Sequence, residues 1–208
     1  MFDIHTHKDS GENCIRNLNF AEAEAQFTAA ASDGYFSVGI HPYEAGTFTL
    51  EKFSKLQHWA SDARLLMIGE CGLDKNADIS VEQQLYVLEQ HISLSESVRR
   101  PLIIHCVGYF NELLYIKKTR KPSQIWIIHG FRGKQQMASQ LLQAGFSLSF
   151  GEYFNPDSVR ITPFSKLFAE TDESNLSISD IYNRLAKVKG CLITDLSAGD
   201  TFIQSLLA

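Results

Sequence analysis

The run Asp3-Ile4-His5-Thr6-His7 sets three ionisable side chains at every second position. A strand repeats every two residues, so all three project from one face, and two imidazoles on one face can share an ion. Five further apolar runs finish on a histidine or a carboxylate: Ser37 to His41, Leu65 to Glu70, Pro101 to His105, Ile125 to His129, and Lys166 to Asp172. One histidine after an apolar run is ordinarily a hydrogen-bonded core residue. The whole set is different, because burying so many ionisable groups without partners is costly. Four histidines with two or three carboxylates exceed the roughly three protein ligands that one catalytic ion takes, and two ions are the natural reading. An imidazole-rich set suits Zn²⁺, Mn²⁺ or Co²⁺ better than an all-oxygen Mg²⁺ site.

The elements between these residues must bring them together. Successive markers from His7 through His41, Glu70, His105 and His129 to Asp172 are separated by 34, 29, 35, 24 and 43 residues. Each of the first four gaps fits a strand and a crossover helix; the last holds an extra strand, Phe146 to Phe150. The apolar runs are continuous rather than alternating, which predicts a parallel sheet covered on both faces. Thr49 is a predicted cap for a helix carrying Leu50, Phe53, Leu56 and Trp59. Ser80 and Gln83 have capping-box spacing before Leu85, Leu88 and Ile92. Met137, Leu141 and Leu142 mark a third helix closed by Gly145, and Ser177 opens a fourth, to about Lys187. Strand and helix in alternation predict a TIM-type (βα) barrel whose strand ends converge on one face. His58 and His91 fall inside predicted helices, as surface or packing residues. Cys71 and Cys106 should face away from Glu70 and His105. The alanine cluster between Ala21 and Ala31 reads as helix or padded loop.

Composition narrows the class. The 208 residues carry 19 Lys and Arg against 24 Asp and Glu, a formal charge of −5, with 44% hydrophobic positions. That is enough for one domain over residues 1–208 and excludes disorder as the main state. The acidic balance argues against a broad basic surface for nucleic acid, so any such contact would be local. No stretch approaches the roughly 18 apolar residues of a membrane span. The four scattered cysteines, Cys14, Cys71, Cys106 and Cys191, suggest a reducing cytoplasm, and no obligate protein partner is evident.

The motifs then resemble a known family, the TatD-like metal-dependent hydrolases, over nearly the whole chain. They are Asp3 to His7, Gly39-Ile40-His41-Pro42, Gly69-Glu70-Cys71-Gly72-Leu73-Asp74, Pro101 to His105, His129 to Gly133, and Glu170-Thr171-Asp172. The resemblance implies that His5 and His7 hold one divalent ion with Asp172, that His105 and His129 hold a second, and that Glu70 bridges both, the ions being Mg, Mn, Zn or Co. It implies a catalytic role for His41 on the substrate side and for Asp172 as proton acceptor. Three departures stand out. The stretch between His7 and His41 is shorter than in typical members by about one strand and helix, so seven or eight strands are expected, with irregular chain around Cys14 to Asn19. Arg132 stands where a small serine is common, and Glu173-Ser174 where Ala-Pro is common. Arg132 and Lys134, just past His129, are candidate substrate-binding residues for a phosphate.

The implied activity is a divalent-metal-dependent phosphodiester hydrolase, a deoxyribonuclease on DNA ends or short oligonucleotides. The rival is a hydrolase of a small amide, lactone or cyclic imide using the same metals. A non-catalytic metal-binding scaffold is the third reading, against which intact Asp172 and Glu70 speak. The segment from Ile181 to Leu207 reads as a packing helix pair.

Overall fold

A computed structural model describes residues 1–8, 13–28 and 33–207. In chain order the elements are β1 (Asp3–Thr6), β2 (Cys14–Leu18), α1 (Phe20–Thr28), β3 (Tyr35–Val38), α2 (Leu50–Trp59), β4 (Leu65–Asp74), α3 (Val81–Val98), β5 (Leu102–Val107) and α4 (Phe110–Arg120). They continue with β6 (Trp126–Ile128), α5 (Gln135–Gln143), β7 (Ser147–Phe150), α6 (Pro156–Ile161), β8 (Leu167–Ala169), α7 (Ile178–Lys189) and α8 (Ala198–Leu207). Eight strands among the described residues settle the expected seven or eight at eight, in the strand–helix order of a TIM-type barrel.

The expected irregular chain around Cys14 to Asn19 is instead strand β2, and this corrects the sequence reading. Cys14, Ile15 and Leu18 are buried and Arg16 is half-buried, so apolar and β-branched residues carry the strand despite two polar neighbours. The shortening removes a helix: none lies between β1 and β2 among the described residues. Half of the alanine cluster forms α1, whereas Ala29 to Ala31 lie outside the described residues.

Contacts group the chain into two units, Met1–Arg16 with Ile127–Ala208, and Asn17–Trp126. In the first, β6 pairs in parallel with β7, and β7 with β8 through Leu148↔Leu167, Ser149↔Phe168 and Phe150↔Ala169. The end of β8 reaches β1 through a bridge, Thr6↔Asp172, and β1 pairs with the start of β2. Ile4, Leu148, Phe150, Ile181 and Leu185 are fully buried in this unit. The Tyr182 hydroxyl donates to the Phe2 carbonyl at 3.0 Å, and burial pushes that phenol well above its ordinary value. Ser177 caps α7 in a complete capping box with Asp180, and α7 and α8 supply the expected helix pair.

In the second unit β3, β4 and β5 are parallel neighbours. β4 is ten residues long and buried along its whole length, running past Glu70 to Asp74. Two glycines let it do so. A methyl group on Gly72 would sit 1.9 Å from the His105 carbonyl oxygen, and one on Gly69 would sit 2.2 Å from that of Ile103, both at positive φ. Thr49 and Ser80 cap α2 and α3 through their side chains, as expected.

Candidate metal centre

In the first unit, β1 and the residues after β8 assemble His5, His7 and Asp172. The His5 carbonyl accepts the Asp172 N–H at 3.0 Å, and the Asp172 carbonyl accepts the His7 N–H at 3.3 Å. Asp172 itself is left-handed at φ 53°, a conformation a non-glycine residue holds only when its surroundings fix it. Buried Asp3 supplies much of that fixing. Its Oδ1 accepts the His5 and Thr171 N–H groups at 3.3 and 3.0 Å, and its Oδ2 accepts the Thr171 hydroxyl at 2.6 Å. Burial, which outweighs the two Thr171 hydrogen bonds, raises the Asp3 carboxyl to about 7.

The resulting spacing suits an ion. Asp172 Oδ1 lies 3.7 Å from His5 Nε2 and 3.5 Å from His7 Nε2. These gaps exceed hydrogen bonds, yet they match the edge of about 3.4 Å between ligands of a tetrahedral ion at roughly 2.1 Å. His129 joins this group: its ring centroid is 4.5 Å from that of His5, and His5, His129 and Asp172 each bring a donor atom within 4.8 Å of the others.

His129 is oriented from behind by Glu170, fully buried. Its Oε1 accepts the Gly130 N–H at 2.6 Å and lies 3.3 Å from His129 Nδ1. With the Nδ1 proton directed at a carboxylate, Nε2 carries the lone pair, the usual tautomer of a metal ligand. Burial pushes Glu170 up, but the His129 hydrogen bond and, when they are protonated, the His129 and His5 rings together hold it below the ordinary carboxylate range.

The second unit carries His41, Glu70 and His105, whose donor atoms also lie within 4.8 Å of one another. The Glu70 N–H donates to Asn17 Oδ1 at 3.0 Å, and the same oxygen accepts the Ser37 hydroxyl. Glu70 Oε1 lies 2.9 Å from His105 Nδ1 and 3.4 Å from His41 Nε2. His105 Nε2 faces Asp74 Oδ2 at 2.7 Å, a second carboxylate-backed imidazole that presents Nδ1 as the ligand nitrogen. Gln84, buried on α3, accepts the Asp74 N–H and donates to its carbonyl, which anchors the end of β4.

His41 differs from the others. Its Nδ1 accepts the Tyr43 N–H at 3.2 Å, so Nε2 bears the proton and is a donor, the form suited to a substrate oxygen. The N–H of the preceding residue, Ile40, donates to His91 Nε2 at 3.0 Å, while His91 Nδ1 donates to the Val87 carbonyl. His91 is therefore the buried footing of the His41 segment, beyond the packing role expected of it. His58 is exposed.

The structure gives no such company to the two expected cations. Arg132 is exposed and lies over the Tyr153 ring at 5.2 Å; Lys134 is exposed at the start of α5. Burial pushes the thiols of Cys71 and Cys106 up, that of Cys106 to about 12. The residues whose roles sequence reasoning missed are Glu170, Asp74 and His91. The first two had a signal: Glu170 shares the period-two face of Asp172, and Asp74 that of Glu70. His91 had none, because its partner is a backbone N–H.

Donors of this type on eight parallel strands define a metal-dependent hydrolase of the TIM-barrel class. A family model described as TatD related DNase matches residues 7–174, and the chain belongs to that family. Among curated relatives it is similar to the 3'-5' ssDNA/RNA exonuclease TatD of Erwinia billingiae, 28% identical over 85% of this chain and 74% of that protein. It is also similar to an uncharacterised metal-dependent hydrolase of Buchnera aphidicola, 29% identical over 68% of this chain and 56% of that one. Among solved structures, YjjV, a TatD homologue from Escherichia coli K12, superposes with a TM-score of 0.84 at 19% identity, over 100% of this chain and 97% of that one. That likeness shows the fold, a TIM-type α/β barrel. No helix of the described residues is long and apolar enough to cross a membrane.

Proposed function

We propose that the protein is an exonuclease that hydrolyses phosphodiester bonds at the ends of single-stranded DNA or short oligonucleotides with two divalent ions. The observation that carries this reading is the spacing of His5, His7 and Asp172 at ligand-to-ligand distance around a backbone-locked carboxylate. His129 belongs to the same group, and His105 and Glu70 would hold a second ion. Scattered cysteines favour the cytoplasm as its compartment.

Two bound divalent ions supply a nucleophilic water at neutral pH and offset charge on the phosphoryl group. The chain's own residues do the rest. Asp172, held by hydrogen bonds to β1, is positioned to take the proton of the attacking water on its carboxylate. His41 donates from Nε2 to a phosphoryl oxygen, with its ring fixed by Tyr43 and by the His91 footing under Ile40. Glu170 and Asp74 keep the ring protons of His129 and His105 on the nitrogens facing away from the ligand positions.

Metal-loaded protein is incubated with labelled single- and double-stranded DNA and with a panel of small esters, amides and lactones. Metal-dependent release of nucleotides from single strands is expected, with two ions per chain by elemental analysis and fewer after Glu70→Gln. Turnover of a lactone or amide with DNA left intact overturns the nuclease reading and keeps the metal site. No turnover of any substrate overturns the hydrolase reading, and fewer than two ions by elemental analysis overturns the two-ion site.

A further inference from the structure

Beside Asp172, within the first unit, lies a cavity of about 240 Å³ that the metal chemistry does not use. Its lining includes Gly130, Arg132, Glu152, Tyr153, Asp172 and Asn175. The volume falls below the roughly 300–1,000 Å³ of pockets for drug-sized ligands, so it admits one small ring system.

Its walls are chemically mixed. They include two planar groups, the Tyr153 ring, 65% exposed, and the Arg132 guanidinium, 5.2 Å from the ring centroid. Planar cation and aromatic ring together make a surface on which a flat, apolar-faced ligand stacks. The lining also carries Asp172, which belongs to the metal group, and the carboxylates of Glu152, Glu170 and Glu173 against the single cation Arg132. Away from the ions, such carboxylates disfavour a phosphate and accept hydrogen bonds from amino or hydroxyl groups. The loop is held in place. Ser174 donates to Glu152 at 2.6 Å, and Lys8 donates to the Ser174 carbonyl at 2.6 Å and to Asn175 Oδ1 at 3.0 Å.

We propose that this cavity is the subsite for the base of the terminal nucleotide, which stacks on Tyr153 and Arg132 while its phosphodiester lies at Asp172. The inference rests on the nuclease reading above and deepens it. It reassigns Arg132 from phosphate grip to stacking, because its guanidinium already lies over the ring. It also gives a physical use to Arg132 and Glu173, which both line the cavity.

The test compares hydrolysis of short single-stranded DNA with normal ends and with an abasic residue as the terminal nucleotide, at the 3′ and the 5′ terminus in separate substrates. Loss of the base at one terminus is expected to raise KM about tenfold, in line with the contribution of one stacked base. Tyr153→Ala should raise KM for the normal substrate by a like factor and make normal and abasic ends equivalent. Tyr153→Phe, which keeps the ring, should preserve the wild-type difference. An undiminished difference between the two substrates in Tyr153→Ala would falsify the subsite, as would a wild type indifferent to the base at both ends. A wild type that cleaves no strand sinks the nuclease reading by itself. The subsite is then decided by fluorescence anisotropy in chelator, where Tyr153→Ala must again equalise the Kd values of normal and abasic strands. Tyr153 is exposed, so its replacement leaves the fold intact.

Discussion

The group of His5, His7, His129 and Asp172 and the His41–Glu70–His105 group use the same residue types in different states of readiness. In the first, the histidine-to-carboxylate distances are 3.5 and 3.7 Å, too long for hydrogen bonds and right for ligands around an ion. In the second, His105 lies within hydrogen-bond distance of a carboxylate on each side, Glu70 at 2.9 Å and Asp74 at 2.7 Å. An ion entering the first group finds its donors already spaced. One entering the second must replace the His105–Glu70 contact. Spacing of donors thus distinguishes a group already set at ligand distances from one closed by its own hydrogen bonds, although both would read alike as a list of residues.

The largest expected effect breaks the first group. Asp172→Asn removes the proton acceptor and one ligand together, and kcat on labelled single-stranded DNA should fall by about 10³-fold or more. If the variant keeps even a tenth of wild-type turnover, Asp172 is not the acceptor.

The next effects set the supporting carboxylates against each other. Glu170→Gln and Asp74→Asn should each weaken metal affinity by about 10- to 100-fold, by titration with Mn²⁺ or Zn²⁺. Both should also lower thermal stability, because both carboxylates are buried and each accepts a backbone N–H, that of Gly130 at 2.6 Å for Glu170 and that of Asn76 at 2.7 Å for Asp74. Unchanged stability in either variant would contradict its structural part.

The smallest effect concerns His91 and acid. Burial pushes this imidazole from 6.5 down to about 4, against a small opposing pull from the Val87 carbonyl. The native state thus binds fewer protons than the unfolded state between those values. Stability is complete above about pH 6.5 and declines as pH falls towards 4, by about 3 kcal/mol at most. Denaturant unfolding across that window should show the slope in the wild type and a shallower one in His91→Gln. A slope unchanged by the substitution would place the acid sensitivity elsewhere.

Continuous apolar runs with capped helices between them made most of the architecture legible before any coordinates. α2, α3 and α7 begin at the caps read from Thr49, Ser80 and Ser177 because a hydroxyl that accepts a backbone N–H leaves a local signature. α4 escaped because its apolar residues do not keep to one stripe: Leu113 and Ile116 are buried while Tyr115 is exposed, and Tyr109 provides no side-chain cap. β2 escaped because Arg16 and Asn17 interrupt a short strand that pairing rather than pattern stabilises. In the site, residues at strand ends were readable, as were their types. The tautomers were not: those of His129 and His105 depend on partners distant in sequence, Glu170 and Asp74, and that of His41 on the backbone N–H of Tyr43 in the turn that follows it.

Asp3 and Thr171 meet across 168 positions of chain, and Asp172 locks onto the backbone of β1 beside them. During synthesis the two amino-terminal histidines therefore leave the ribosome long before the carboxylate that completes their cup. A nascent chain truncated ahead of residue 170 should lack the carboxylate of this group, so any cation held there would enter late in the protein's maturation.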